Sequence, residues 1–210
     1  MTFVITTYDW VPPFAVGYVR DLRIRWACEE AGLPYRIETT SVREKTAQHF
    51  ACQPFGQVPI LRDGDLSLFE SGAILLYLGE RAEALMPRDA AARAETQQWL
   101  IAALNTLEPP VMAMALARIF DQDARAEELA LPRLRERLAQ LVPVLEGRDF
   151  IAAGRFTIAD ILLADVLRLV DSLGELAAYP VLAAYMNRIT ARPAFQRAHA
   201  AQVAHFAQAA

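Results

Sequence analysis

The chain has 210 residues, 54% of them hydrophobic and 22% charged, and its formal net charge at pH 7 is −4. That length and apolar content suffice for one large domain or two small ones, and the negative charge argues against a basic surface for nucleic acid or an anionic membrane. The two cysteines lack metal-ligand spacing and no apolar stretch approaches the roughly 20 residues of a membrane helix, so we expect a cytoplasmic protein without metal or membrane partners.

The first third of the chain mixes strand and helix patterns. In chain order we predict a strand (FVITTY, 3–8), a proline-containing loop (DWVPPFAV), a helix from about Val16, a strand (YRIETTSV, 35–42), a weakly helical stretch (REKTAQHFAC), a hairpin (VPILRDGDLSLF) and a helix (SGAILLYLGERA). Gly32 and Pro34 end the first helix, and Asp63-Gly64 supplies the hairpin turn. One helical crossover makes the first two strands parallel and the tight hairpin makes the last two antiparallel, which predicts a mixed four-stranded sheet.

The remainder of the chain has only helical patterns. Four long helical stretches are predicted, and Pro109-Pro110 is expected to break or kink the first of them. The expected architecture is therefore α/β followed by all-α. We place an α/β domain at 1–83, a linker at 84–90 and an all-helical bundle domain at 91–210.

Two features of the stretch from 53 to 74 stand out. Pro59 begins an apolar strand although proline cannot donate to a strand ladder, and the next strand ends abruptly on Glu70-Ser71. Taken alone, these residues are an ordinary edge proline and an ordinary helix cap, both of which are common in α/β proteins.

Several motifs together resemble the cytosolic glutathione transferases, with no class assigned. They are FGQVPIL, ESGAILLYLGE, RWACEEAGLPY and FTIADILLADVL, and the resemblance runs nearly end to end. It implies a thioredoxin-like N-terminal domain that binds glutathione, a helical second domain, and a two-fold homodimer. In the family the third helix and the fourth-helix region meet the partner subunit.

The resemblance assigns glutathione contacts to five residues. Pro59 matches a cis proline of the family, which presents the backbone of the preceding residue, Val58, to the cysteinyl part of the tripeptide. Glu70 then takes the γ-glutamyl ammonium, and Ser71 with the helix N–H groups takes the carboxylate. Gln57 matches a further position that contacts the tripeptide in several classes.

The group that activates the thiol has more than one candidate. A thiol has a pKa near 8.5, and the family lowers it with a Tyr at the end of the first strand or a Ser or Cys at the start of the first helix. The Ser or Cys is absent here. Three candidates remain: Tyr8 at the end of the first strand, Tyr18 at the helix entrance, and Arg20 near a family arginine. We rank Tyr8 first, while each candidate also has a purely structural interpretation.

The motif FTIAD is assigned to folding. Thr157 at the N-cap and Asp160 at N3 form a capping-box variant, and Phe156 with Ile161 forms a hydrophobic staple. The histidines are interpreted as surface residues (His49, His199 and His205) and the cysteines as packing residues (Cys28 and Cys52).

The leading function is conjugation of glutathione, as co-substrate, to a small electrophile. The alternatives on the same fold are a glutathione-dependent isomerase, dehalogenase or peroxidase, or a non-catalytic binding protein of the same family.

Overall fold

The structure is a computed structural model that describes residues 2–208. Its contacts group the chain into two compact units. The first contains the described residues up to Leu85 together with those from Ala191 onward, and the second runs from Met86 to Thr190. The domain boundaries expected from the sequence, at 83 and 91, remain predictions. The segment after 190, which chain order placed with the helical domain, groups with the first unit.

Four strands and nine α-helices are present in residues 2–208. The strands are β1 Phe3–Tyr8, β2 Tyr35–Thr40, β3 Ile60–Asp63 and β4 Leu66–Phe69. The helices are α1 Asp21–Ala31, α2 Ala47–Cys52, α3 Ser71–Arg81, α4 Ala90–Ala102, α5 Glu108–Ala115, α6 Ala124–Leu145, α7 Ile158–Ser172, α8 Pro180–Thr190 and α9 Pro193–Ala207.

The first unit contains the mixed four-stranded sheet that the sequence predicted. The strand order is β2-β1-β3-β4, with β1 parallel to β2 and antiparallel to β3, and with β3 and β4 joined as a hairpin. Gly64 has a φ of 61° in the hairpin turn, which glycine adopts without steric cost. Alternate residues of β1 are buried: Phe3, Ile5 and Thr7 face the core. The thioredoxin-like α/β architecture is confirmed.

The first helix begins later than the sequence suggested. We expected it from about Val16, but α1 starts at Asp21 after a 3-10 turn at Pro13–Ala15. Gly17 interrupts the helical path with a φ of 84°. A side chain there would also place its Cβ 2.8 Å from Nε2 of His199 on α9, so residue 17 lies in close contact with that helix. Gly32 ends the helix in the left-handed conformation, as predicted.

The second unit is all helical, and its longest helical run is irregular just before Pro109-Pro110, where a break or kink was expected. Pro109-Pro110 does not break the run from Ala90 to Asp121. A π-helical turn at Ala103–Leu107 precedes the prolines, and the N–H of Glu108 bonds to the carbonyl of Ala103. The wider turn shifts the hydrogen bonding just before the residues that lack an N–H, so the helix accommodates them.

The same run is long and apolar enough to cross a membrane by length and composition. It has 32 residues, and the mean hydropathy of its most apolar 18-residue window is 1.4. The expectation that no stretch has these properties was therefore wrong. Half of that window is buried inside the structure.

The capping box predicted for FTIAD is present at the start of α7. Asp160 accepts hydrogen bonds from the backbone N–H of Thr157 (2.9 Å) and of Ile151 (2.9 Å), and from the hydroxyl of Tyr185 (2.8 Å). Burial raises the pKa of the Asp160 carboxyl, and these hydrogen bonds oppose that rise. Asp160 thus joins a loop, α7 and α8, which is the folding role that the sequence indicated.

Candidate active site

The predicted glutathione contacts Gln57, Val58 and Pro59 lie directly before β3. The peptide bond between Val58 and Pro59 is cis, and both residues are buried. Gln57, immediately before them, is exposed. The backbone at Val58 therefore lies next to an exposed side chain at the entrance to the strand.

His49 holds this segment against α2. Its side chain is buried, so its assignment to the surface was wrong. Its Nε2 lies 3.0 Å from the carbonyl oxygen of Gln57, and because a carbonyl only accepts, Nε2 carries the proton. Burial lowers the pKa of the His49 imidazole, while this hydrogen bond opposes the change. His49 thereby fixes the backbone just ahead of Val58.

Glu70 and Ser71 connect β4 to α3 through an unusual backbone conformation. Glu70 has a φ of 68° and a ψ of 117°, outside the regions that residues with a side chain normally occupy. Its side chain is exposed, and no residue in 2–208 gives its carboxylate a hydrogen bond or ion pair. Backbone outliers of this kind persist where the surrounding structure enforces them, and they cluster at functional sites.

Ser71 is buried and has a charged neighbour that the sequence interpretation missed. Nη1 of Arg23, a residue of α1 with 3% of its surface exposed, donates to Oγ of Ser71 over 3.1 Å. A guanidinium therefore lies directly beside the first residue of α3. The available signal was the density of charge in an otherwise apolar helix, since Asp21, Arg23 and Arg25 all lie in the buried part of α1.

Two of the three thiol-activator candidates lie close together. Tyr8 ends β1 with its side chain half-buried; burial raises the pKa of its phenol, and the positive charge of Arg20 opposes that rise. Arg20 is the residue before α1. Tyr18 lies in the turn just after Gly17, where its N–H donates to the carbonyl of Ala15 over 3.0 Å.

Lys45 adds a second positive charge beside Tyr8, which the sequence interpretation also missed. Its Nζ lies 4.7 Å from the centroid of the Tyr8 ring. The ammonium donates to the carbonyls of Ser41 and, over 2.9 Å, of Val42. A cation over an aromatic face is electrostatically attracted to it, so Lys45 is held at the phenol by contacts on two sides.

Comparison with known proteins gives consistent matches over both units. Residues 4–80 match the glutathione S-transferase N-terminal domain, and residues 102–193 match the C-terminal domain. A probable glutathione S-transferase GSTF2 from rice (Oryza sativa subsp. japonica) is 32% identical over 80% of this chain and 86% of its own length. The chain belongs to the glutathione S-transferase family.

Other family members agree with this assignment. The alignment with glutathione S-transferase F10 of Arabidopsis thaliana is 27% identical but spans only 63% of that protein. A glutathione transferase family member from Pseudomonas fluorescens Pf-5, solved with two glutathione bound, superposes with a TM-score of 0.82. It is 26% identical, and the match covers 94% of this chain and 92% of that one. The family resemblance seen in the motifs is thus confirmed.

A separate cavity of about 670 Å³ lies toward the C-terminal end of α1 and contains none of the predicted glutathione contacts. Its walls include three arginines, each of which has a carboxylate partner (Arg25 with Asp21, Arg36 with Glu38, Arg197 with Glu29). Each arginine of its walls is therefore already held in an ion pair.

The part of the chain that the structure describes contains no candidate metal-binding site. No three His, Cys, Asp or Glu side chains come together there as ligands.

The backbone of Glu70 leads to a prediction about stability. Glu70→Gly should raise the free energy of unfolding by about 1 kcal/mol, because relief of about 1–3 kcal/mol of strain exceeds the roughly 0.5–1 kcal/mol entropic cost of glycine. Glu70→Ala keeps the strained backbone and should show no such gain. Urea unfolding of the two variants measures the difference; equal or lower stability of Glu70→Gly would show that the φ of 68° costs nothing.

Proposed function

We propose that this family member binds glutathione at the Val58, Glu70 and Ser71 segments and transfers its thiolate to a small hydrophobic electrophile. The observation that carries the proposal is the unpaired carboxylate of Glu70, which precedes a helix N-terminus where Arg23 donates to Ser71. A negative charge followed by a positively polarised helix end suits a ligand that bears an ammonium and a carboxylate on one carbon.

In the proposed binding mode, one end of the tripeptide contacts Glu70 and Ser71 and its cysteinyl part contacts Val58. Glu70 pairs with the γ-glutamyl ammonium, and the hydroxyl of Ser71 and the first N–H groups of α3 bind the carboxylate. Arg23 strengthens that carboxylate contact because its guanidinium polarises the hydroxyl it donates to. The backbone of Val58 pairs with the cysteinyl residue as a short added strand, and Gln57 contacts the same part of the peptide.

The proposed chemistry depends on the thiolate. Because the pKa of the Tyr8 phenol is raised, the phenol stays protonated at neutral pH and can donate to the sulfur. The positive charges of Arg20 and Lys45 near that phenol further favour the thiolate of glutathione over the neutral thiol. The sulfur then attacks the electrophilic carbon, a C–S bond forms, the leaving group departs with its electron pair, and the thiol proton passes to solvent.

A conjugation assay with product analysis tests this proposal. The protein is incubated with glutathione and a chromogenic aryl halide, and thioether formation above the uncatalysed rate is the expected result. Recovery of an isomerised, dehalogenated or peroxide-derived product with other substrates would assign one of the alternative reactions of the same thiolate. Retention on immobilised glutathione without turnover of any substrate would indicate a non-catalytic binding protein.

We further propose that the protein is a homodimer. Phe55 is 69% exposed and Phe50 is 47% exposed, and the Phe55 ring lies 6.2 Å from that of Phe69, which concentrates aromatic surface beside β4. Exposed apolar clusters on soluble proteins are typical of interaction sites, and self-complementary interfaces are the commonest kind.

Light scattering at micromolar concentration should therefore give a mass of twice 23.4 kDa. Phe55→Glu should halve that mass, because a charge would be buried without a partner at the interface. Leu129→Glu, at a position on α6 that is 65% exposed, is the matched control and should leave the mass unchanged. A wild-type particle of 23.4 kDa would reject the dimer.

We propose a cytoplasmic location for the protein. Cys28 and Cys52 are both free thiols. Unpaired cysteines are typical of reducing compartments, which supports this assignment.

A further inference from the structure

The last helix of the chain contacts the segment that carries the thiol-activator candidates. Nothing in the sequence motifs pointed to α9 (Pro193–Ala207), yet it packs along α1 within the first unit. Three side chains on one side of α9 reach the segment from Tyr8 to Asp21: His199, Gln202 and His205.

His205 binds the backbone of Tyr8 itself. Its Nε2 lies 3.0 Å from the Tyr8 carbonyl oxygen, and because that oxygen only accepts, Nε2 is the donor. The ring also makes an edge-to-face contact with the ring of Phe206, at 4.8 Å between centroids. This hydrogen bond lies at the last residue of β1, where the strand passes into the loop, so it holds the point from which the Tyr8 side chain projects.

Gln202 holds the other end of the same segment. It is fully buried, and its Nε2 donates to the carbonyl of Val19 (2.9 Å) and to Oδ1 of Asp21 (2.6 Å). Asp21 is itself buried and paired with Arg25 at 2.6 Å. Arg20, the charged candidate, lies between the two residues that Gln202 binds, so its backbone is constrained on both sides.

His199 determines the path of the loop between these two points. Its Nε2 occupies the space next to Gly17 that a Cβ would need, and its ring stacks on Phe195 with 5.5 Å between centroids. The loop can therefore approach α9 closely only because residue 17 is a glycine.

We infer that α9 positions the thiol-activating segment, with His205 and Gln202 as positioning residues that act through the backbone of Tyr8 and of Val19 to Asp21. The inference rests on the proposed function, because it assigns α9 a role in lowering the pKa of the bound thiol. It places no α9 side chain in contact with glutathione. Removing the His205 donor should therefore affect thiol ionisation more than glutathione affinity.

The test compares His205→Phe, which keeps a ring without the donor, with His205→Gln, which keeps a donor at similar reach. The pKa of bound glutathione is measured from thiolate absorbance, its affinity by calorimetry, and turnover across pH. We expect His205→Phe to raise that pKa and to lower turnover at neutral pH about 3- to 10-fold, the value of one neutral hydrogen bond, with affinity within about twofold. His205→Gln should restore most of the loss.

Arg197→Gln is the matched control on the same helix. Arg197 pairs with Glu29 near the far end of α1 (2.8 Å), so this variant weakens the packing of α9 without touching the activator segment, and it should behave as wild type. If His205→Phe leaves the thiol pKa unchanged, or if Arg197→Gln changes it equally, the inference is overturned.

Hydrogen exchange separates failure of the inference from failure of the proposed function. Amides of residues 9–20 should exchange faster in His205→Phe and in Gln202→Met than in wild type, whether or not the protein turns over a substrate. A wild type that never lowers the thiol pKa would reject the proposed catalysis. Unchanged exchange at 9–20 in both variants would reject the positioning role independently.

Discussion

Replacing Tyr8 by phenylalanine should lower turnover at neutral pH about 10- to 100-fold. The phenol is the proposed donor to the thiolate; a hydrogen bond to a charged group contributes about 1.5–3 kcal/mol, and each 1.36 kcal/mol changes a rate tenfold. Part of the activity should return at higher pH, where the thiol ionises without help. Affinity for glutathione should change little, because Glu70 and Ser71 lie elsewhere in the site. Initial rates and calorimetry across pH measure both effects.

Two further tyrosine variants show whether the loss of turnover is specific to Tyr8. Tyr77→Phe removes a hydroxyl of α3 that donates to Asp63 over 2.8 Å and should leave turnover unchanged. Tyr18→Phe tests the candidate at the helix entrance. If turnover falls in Tyr18→Phe and not in Tyr8→Phe, the activator lies after the loop and the ranking is wrong. If neither variant changes the rate, the role passes to Arg20 or to Lys45.

The largest loss of stability is expected for Asp160→Ala. The change leaves the buried N–H groups of Ile151 and Thr157 and the hydroxyl of Tyr185 without their acceptor. Each orphaned group costs about 1–3 kcal/mol, so the free energy of unfolding of the second unit should fall by about 3–5 kcal/mol. Chemical unfolding followed by circular dichroism measures the change.

Matched variants separate this network from a general effect of removing charge. Asp171→Ala, at an exposed position on the same helix, should stay within about 0.5 kcal/mol of wild type. Tyr185→Phe breaks only one of the bonds to Asp160 and should cost about 1 kcal/mol. A loss for Asp160→Ala no larger than that for Tyr185→Phe would show that the capping contacts contribute little.

The sequence predicted most of the elements because their signals are local. The β-branched and aromatic content of β1, the Asp63-Gly64 turn and the FTIAD cap each depend on residues a few positions apart, and all three elements occur as expected. The helix start at Asp21 was missed because neither the positive φ of Gly17 nor its contact with His199, across most of the chain, shows in the helical spacing of the sequence. An irregularity at Pro109-Pro110 was expected, but its form, a π-helical turn within a continuous helical run, could not be predicted from the prolines alone.

The sequence predicted where the site lies but did not identify all of its residues. The motifs around Pro59 and Glu70-Ser71 identified the family and hence the glutathione contacts that we now propose. The density of charge in α1 was a signal for Arg23, but a charged residue on a helix or loop is usually solvated. Only tertiary packing places Arg23 beside Ser71 and Lys45 beside Tyr8. The α9 contacts join residues nearly 200 positions apart, such as His205 and Tyr8, and no local sequence pattern predicts them.

Calorimetric titration of glutathione into wild type and Glu70→Ala tests directly whether this family member binds the tripeptide through the carboxylate of Glu70. We expect wild type to bind and Glu70→Ala to bind about 10- to 100-fold more weakly, since a charged hydrogen bond contributes about 1.5–3 kcal/mol. Asp65→Ala, which removes an exposed carboxylate in the turn between β3 and β4, should match wild type. Wild-type affinity in Glu70→Ala, or a wild type that does not bind glutathione, would rule out this mode of binding.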